Sequence, residues 1–548
     1  MSYVNVWVFF MSKNIEYFLR VSLLIICAVL VQLYLFDMKD IFHIDELLSF
    51  EQANSENGLK LFKHGSDIDN KLIKSDFFIN YLVQSDSFTF AKMWENLKYD
   101  THMPLYFILL FIASSFFTTE FSSTPGILIN IFCLIFLLYT FYKLIENIFK
   151  NKEIALASTF LFAFTSPVLG LEIFIRMYLL QMLLATLLLK SIYNFIFNKN
   201  VSKYSLIYVV MISSLTILTH FYSILFCFFV TLSGFVILIK QKRHPDNFKF
   251  CLCMLLSVLC SYLVYPEMLD IGLHGERGSQ FWAIFSNYYE NPFPLLKQQI
   301  SLFIKPLFKN SIIFFCAISF FILIIFKAHK NMFITEHEKQ TILFFTIIFF
   351  LFGIFLALIM PNMSTFQIRY LAPIIPIYII LIIYTILYII KNFTSKKMII
   401  YYVLWSIAFF NAFYQACNQI NPFYLRSSIL TKKLDNMVVG SDIWWGLGGG
   451  DQHSWILQNY IDKLMTANEI WTLVDYDSKE FKNFSDQEIK KKRYAYLLMP
   501  KTQEQQPQGA IEWIKKTTGR QSYYLFTMKY DNLAAMVFEA SVFLVCPY

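Results

Sequence analysis

From Tyr17 to about residue 416 the chain returns repeatedly to apolar runs of close to twenty residues, divided by short polar stretches. A helix rises about 1.5 Å per residue, so each run matches a hydrocarbon core of roughly 30 Å. Helices are the spanning structure such runs support, because every backbone polar group is then satisfied internally. The runs fall near 17–36, 125–142, 154–171, 178–197, 204–219, 222–239, 250–266, 311–326, 341–360, 371–390 and 398–416. With only 15% charged residues, the pattern predicts a mainly α, polytopic membrane helix bundle of about eleven spans. The first run leads into Asp37-Met-Lys-Asp40 instead of the small residues of a cleavage site, so it is expected to stay as an anchor. Residues 1–10 are apolar and uncharged, and Met11-Ser-Lys-Asn reads like a second start.

One apolar piece, 103–117, is shorter, about 22 Å as a helix. Loop charge decides its placement. If it does not cross, the loops 143–153, 198–203, 240–249, 327–340 and 391–397 share the side of the N-terminus. With Lys13 and Arg20 they carry 17 Lys or Arg, against six opposite: Arg176, Arg277, Lys297, Lys305, Lys309 and Arg369. If it crosses, all five basic loops move outside. The positive-inside rule therefore predicts a juxtamembrane helix in the first external loop, a cytoplasmic N-terminus and an external C-terminus. The net charge of +8 thus reflects topology, with no nucleic-acid footprint.

The expected organisation is a transmembrane domain over 1–417, with its first external loop at 37–124, and a small α/β extracytoplasmic domain over 418–548. In the latter, helical patterns at 454–462 and 510–516 alternate with strand-like stretches at 469–474, 493–499, 522–530 and 534–540. Gly446-Leu-Gly-Gly-Gly450 has no following Lys-Ser/Thr and reads as a loop, not a phosphate-binding turn. Of nine cysteines, seven lie in or beside apolar runs as small hydrophobes, and Cys251-Leu-Cys253 lacks a partner pair for zinc. Cys417 and Cys546 would both lie outside, where a disulfide is an option in an oxidising compartment.

Chemistry-bearing residues gather on the outer side. Asp45 and Glu46 follow the first span within an apolar frame of Ile44, Leu47, Leu48 and Phe50. A carboxylate held against apolar surface is suited to act as a general base, although an acidic pair in an acidic loop also reads as plain solvated charge. Asp100 and His102 precede Pro104, which favours a helix start and hence a partial positive charge suited to phosphate. His102 alone is equally readable as an interfacial structural histidine. Glu172 and Arg176, four apart at a span end beside Tyr178, share one helical face and read as an ion pair or a site. His220 in Thr219-His-Phe221, and Arg369 with Tyr370, mark two further outer ends, where arginine also snorkels. Arg277, Lys305 and Lys309 add positive charge in the loop 267–310.

This ordered set resembles the GT-C integral-membrane glycosyltransferases, closest to the protein O-mannosyltransferase and lipid A aminoarabinose transferase groups. Asp45-Glu46 matches the family's Asp-Glu pair in the first external loop. His102-Met103-Pro104-Leu105-Tyr106 matches its His-Pro-Pro-Leu-Tyr helix start, with Met103 for the first proline. Arg176-Met-Tyr178, Thr219-His-Phe221 and Arg369-Tyr-Leu-Ala-Pro373 match its later motifs; Glu172 stands farther from the arginine than the family's acid. The resemblance covers about residues 15–390 and does not extend to the C-terminal domain.

It implies inverting transfer of a sugar from a polyprenyl-phosphate donor to an acceptor hydroxyl of lipid A, an envelope glycan or a protein, at the outer face of a bacterial inner membrane. Asp45 would be the base and Glu46 would hold the acceptor or a metal. Arg369, with Arg277 and His102, would meet the donor phosphate. His43, Asp45 and His102 are the set that would gather a divalent ion. An O-antigen-type polymerase leaves the Asp-Glu pair unexplained. A lipid-linked-sugar transporter or flippase would want charges within spans and broken helices in repeated halves.

Overall fold

The computed structural model describes residues 3–39, 42–56, 72–74, 81–85, 89–98, 102–118, 121–197, 203–274, 335–359, 368–393, 397–417, 442–446, 469–473, 495–500, 511–512, 514–516, 521–531 and 537–545. They form two compact units. The first comprises Met1–Phe36, Asp100–Tyr106 and Ile127–Pro422; the second comprises Asp37–Tyr99, Phe107–Gly126 and Phe423–Tyr548.

In the first unit the apolar runs are helices: α1 (Tyr3–Asp37), α5 (Thr124–Phe149), α6 (Lys152–Ala163), α7 (Ser166–Glu172), α8 (Tyr178–Phe197), α9 (Lys203–Ile217), α10 (Tyr222–Lys240), α11 (His244–Val264), α12 (Glu267–His274), α13 (Glu336–Ile359), α14 (Ile375–Phe393) and α15 (Lys397–Cys417). Three shorter ones belong to the first loop: α2 (Ile44–Asn54), α3 (Phe90–Lys98) and α4 (Leu105–Ser114). Among the described residues, seven helices are long and apolar enough to cross a membrane. The α6–α7 pair adds an eighth crossing if counted as one span bent by 62°. The expected spans at 204–219 and 398–416 are shorter apolar helices, Tyr204–Ile217 and Met398–Ala412. The expected span at 311–326 lies outside the described residues.

Burial ranks these helices by their sequence. α8 is apolar on all sides and 78% buried, whereas α1 is 28% buried and leaves Phe18, Leu19 and Leu23 exposed, as a lipid-facing helix must. Between α5 and α6 the chain turns in two residues. Lys150 takes a left-handed φ of 51°, and Asn151 caps α6 by accepting from Glu153 N and Ile154 N. α10 and α11 approach closely at Gly234, where a Cβ would meet the Phe250 ring at 2.6 Å. The described cysteines 27, 133, 227, 251, 253 and 260 are free thiols. The Cys417 side chain and Cys546 lie outside the described residues.

In the second unit, α3 packs on α2 through buried Met93, Asn96 and Leu97. Asn96 Nδ2 donates to Gln52 O at 3.2 Å and Ser55 O at 2.9 Å, satisfying carbonyls that the end of α2 leaves open. Gln84 Nε2 donates to Asn54 Oδ1 and to Phe111 O of α4. Six strands make one sheet in the order β1-β3-β2-β4-β6-β5: β1 (Leu72–Lys74), β2 (Asp442–Gly446), β3 (Glu469–Leu473), β4 (Ala495–Pro500), β5 (Ser522–Asp531) and β6 (Val537–Val545). β2 runs parallel to β3 and β4; the other pairings are antiparallel. β1 belongs to the first loop yet pairs with β3, Leu72 opposite Trp471. The second unit's sheet thus draws one strand from the first loop and five from the C-terminal segment. The expected helix at 454–462 and residues 447–450 of the glycine run lie outside the described residues.

Candidate functional site

α4 starts one residue after Pro104, as proline's stiffness favours. Leu105 N, which no helical carbonyl can serve in the first turn, donates to Leu218 O at 3.0 Å. That bond ties the His102 segment to the strip containing Thr219 and His220.

The second half of this cluster is a break in the bundle. α7 ends at Glu172, residues 173–177 are not helical, and α8 restarts at Tyr178. Open carbonyls here must find partners inside the protein. Gln32 Nε2 donates to Glu172 O at 2.7 Å, while Asn130 Nδ2 donates to Glu172 O at 3.1 Å and Phe174 O at 3.0 Å. Arg176 N also donates to Phe174 O, at 2.7 Å. Leu35 of α1 packs against Leu169 and Ile173, fixing the break at the C-terminal end of the first span.

Because the helix is interrupted, the four-residue spacing no longer puts Glu172 and Arg176 on one face. The ion pair read from the sequence is not formed: Glu172 is buried with Oε1 lacking a hydrogen-bond partner among the described residues. The Arg176 guanidinium instead donates to His102 Nε2 at 2.9 Å. With Nε2 accepting, the neutral ring carries its proton on Nδ1. Arg369 comes to the same segment from the 3₁₀ turn Ile368–Ile374. Its guanidinium lies over the rings of Tyr370 at 5.1 Å, Tyr178 at 5.6 Å and Phe174 at 5.8 Å. These rings hold a cation through their negative faces and restrict its rotation. His220 stands 5.5 Å from the Tyr178 ring and 6.1 Å from Tyr370, and its Nδ1 accepts from Tyr222 N at 3.1 Å. Its neutral form therefore presents Nε2–H. Arg176 and Arg369 are only 2% and 7% exposed. Charge so deeply placed is costly to bury and marks a functional position.

The second unit holds the Asp-Glu pair. His43 caps α2: its Nδ1 accepts from Asp45 N at 2.9 Å, and its own N donates to Glu46 Oε2 at 2.7 Å. Glu46 Oε1 is ion-paired with Lys39, both side chains being almost wholly buried. Burial depresses the Lys39 pKa, against the opposing pull of Glu46. Lys39 also lies 5.4 Å from the Phe42 ring, which packs edge-on to Phe121. Glu46 thus has both oxygens engaged in holding the start of α2. Asp45 keeps 21% of its side chain exposed, with Oδ2 3.5 Å from His43 Nδ1.

A third carboxylate on α2 escaped the sequence reading. Glu51 is fully buried, neither oxygen has a hydrogen-bond partner among the described residues, and burial pushes its pKa up to about 8. Leu47, Glu51 and Asn54 share a buried helical face, so spacing alone could have raised it. Lys39, Gln32 and Asn130 were also unmarked; no local pattern distinguishes such positioning residues.

Of the residues read from the sequence, His102, Arg176, Tyr178, His220, Arg369 and Tyr370 come together in the first unit. Asp45 and Glu46 sit with His43 in the second. Asp100 and Arg277 lie outside the described residues. Among the described residues no group of three or more His, Cys, Asp or Glu side chains could hold a metal. The expected set of His43, Asp45 and His102 does not form one, and His102 Nε2 is taken up by Arg176.

No protein-family model and no curated protein sequence matches the chain. Among solved structures, the chain is similar to ArnT from Cupriavidus metallidurans bound to undecaprenyl phosphate, with a TM-score of 0.53 and 10% identity over 96% of this chain and 97% of that one. A second similarity is to the archaeal oligosaccharyltransferase AglB from Archaeoglobus fulgidus, in complex with an inhibitory peptide and a dolichol-phosphate. Its TM-score is 0.45, with 11% identity over 87% of this chain and 69% of AglB. At such identity the likeness to ArnT is one of fold: this chain is an integral membrane protein with a fold similar to that of ArnT.

Proposed function

We infer that the protein is a glycosyltransferase that moves a sugar from a polyprenyl-phosphate donor to an acceptor hydroxyl. The observation that carries this reading is the convergence of two buried arginines and two imidazoles on one aromatic-lined helix break. A lipid-borne phosphate is the anion such a site within a membrane bundle suits. ArnT, the similar structure, is one with undecaprenyl phosphate bound.

In this reading the acceptor oxygen attacks the anomeric carbon and loses its proton to Asp45. The bond from that carbon to the phosphate oxygen breaks with inversion, and the electron pair leaves on the polyprenyl phosphate. Arg369, Arg176 and Arg277 offset the charge that develops there. Such preorganised donors are worth about 100-fold or more in rate each. His102 orients Arg176, and Glu46 positions α2 so that Asp45 projects from its first turn. The acceptor is a hydroxyl of lipid A, an envelope glycan or a protein. The arrangement belongs to an eleven-span bundle over residues 1–417 in a bacterial inner membrane, with the site and a C-terminal domain over 418–548 on the periplasmic side.

The test is transfer from a synthetic polyprenyl-phosphate sugar by purified protein, wild type beside Asp45→Asn. The expected outcome is loss of transfer in a variant that still folds and binds the donor. Near-normal transfer by Asp45→Asn removes Asp45 as the base. Movement of the donor across vesicles with no covalent product would replace the enzyme reading by a transporter.

A further inference from the structure

At the opposite end of the first span from the arginine cluster, α1 and α5 enclose a cavity of about 410 Å³. The two helices run antiparallel: Gln32 and Asn130 meet at Glu172 O at one end, and Tyr17 reaches Lys152, just past the end of α5, at the other. The lining is graded along that direction. Lys143, Lys152 and the tyrosines 17, 139 and 142 form the mouth, while Val21, Ile25, Ile135 and Phe136 lie deeper. From residue 17 to 25 is about 12 Å of helix, the depth of a few acyl carbons beneath a headgroup. The lining contains two lysines and no carboxylate.

The mouth is also built. Lys152 Nζ lies 5.3 Å from the Tyr17 ring and Lys143 Nζ 5.4 Å from the Tyr142 ring. Tyr17 OH and Arg20 both donate to Glu153, at 2.9 and 3.0 Å, pinning α1 to α6. Glu146 supports Lys143 at 2.8 Å. Both acids stand outside the lining, to which both lysines contribute. On either side Phe18 and Phe136 are exposed, 66% and 44%, making the cavity continuous with the lipid-facing surface of the bundle.

We propose that this cavity is a binding site for one anionic phospholipid of the leaflet on the N-terminal side, its phosphate between Lys143 and Lys152 and an acyl chain along Val21, Ile25 and Ile135. With lysines and no carboxylate in the lining itself, an anionic headgroup is favoured over a zwitterionic one, and a free phosphate would leave the apolar depth unfilled. The site is separate from the donor site: Leu35, which packs at the helix break, lies some 20 Å farther along α1.

Native mass spectrometry of the full chain in micelles, with equimolar phosphatidylglycerol and phosphatidylcholine of matched chains, tests it. The wild type is expected to retain one phosphatidylglycerol about tenfold over phosphatidylcholine, as two lysines near a phosphate provide. Lys143→Gln/Lys152→Gln should abolish that preference. So should Ser22→Phe, which fills the cavity and leaves both lysines in place. Lys240→Gln/Lys249→Gln removes the same charge from another basic loop and should leave the preference intact. A wild type without preference, a cavity variant that keeps it, or a control that loses it overturns the proposal.

Discussion

The helix break at 173–177 rests on two side-chain amides, and a double-mutant cycle can weigh them. In Asn130→Leu, Glu172 O keeps Gln32 Nε2 and Phe174 O keeps Arg176 N, so neither carbonyl is stranded. Two membrane-buried hydrogen bonds of roughly 0.6 kcal/mol each are lost, and about 1 kcal/mol is expected. Gln32→Leu removes one bond and costs about half as much. The double variant differs in kind, because Glu172 O then has no partner among the described residues. An orphaned buried carbonyl costs about 1–3 kcal/mol beyond the bonds themselves. The double variant should therefore exceed the sum of the singles by at least about 1 kcal/mol, read as a coupling energy from SDS-driven unfolding in mixed micelles. The same variant should weaken polyprenyl-phosphate affinity, since Arg176 and the rings beneath Arg369 hang on this segment. Strict additivity would refute the shared-carbonyl argument. Wild-type affinity in a destabilised double variant would show that the break does not position the arginines.

Three other outcomes follow from the packing. Glu51 holds its proton in the folded protein up to about pH 8, whereas the unfolded carboxyl loses it near its ordinary 4.5. The folded state thus binds more protons between these values, and stability falls as pH rises through that window, by on the order of 3–5 kcal/mol. Glu51→Gln should flatten the slope of unfolding free energy from pH 5.5 to 8.5 and leave the protein more stable at the alkaline end. Lys39→Met leaves Glu46 buried without its cation and should cost about 3–5 kcal/mol, most of it recovered in Lys39→Met/Glu46→Leu. Gly234→Val drives a methyl into the Phe250 ring, itself stacked on Phe195, and should lower stability by about 1–3 kcal/mol in the same assay.

Much of this protein follows from local pattern. Run length and composition determined a helical membrane bundle, and the short apolar piece at 103–117 is the short helix α4. The residues His102, Arg176, His220 and Arg369 were legible because polar groups at the ends of apolar runs need a reason to be there. Which partner each would take was not legible. A four-residue spacing implies a contact only while the helix continues, and Gln32 and Asn130, distant in sequence, stabilise its interruption. Tertiary structure thus turned Arg176 from Glu172 to His102. It also buried both oxygens of Glu46 against Lys39 and the cap of α2, leaving Asp45 as the carboxylate with exposed surface. The first-loop strand β1, three residues long, carries too little pattern to be read alone and exists because β3 offers it an edge. The sequence by itself determined which side chains a membrane would tolerate and where along each helix. Their hydrogen bonds and charges act over a few ångströms, between segments whose approach only the folded chain decides.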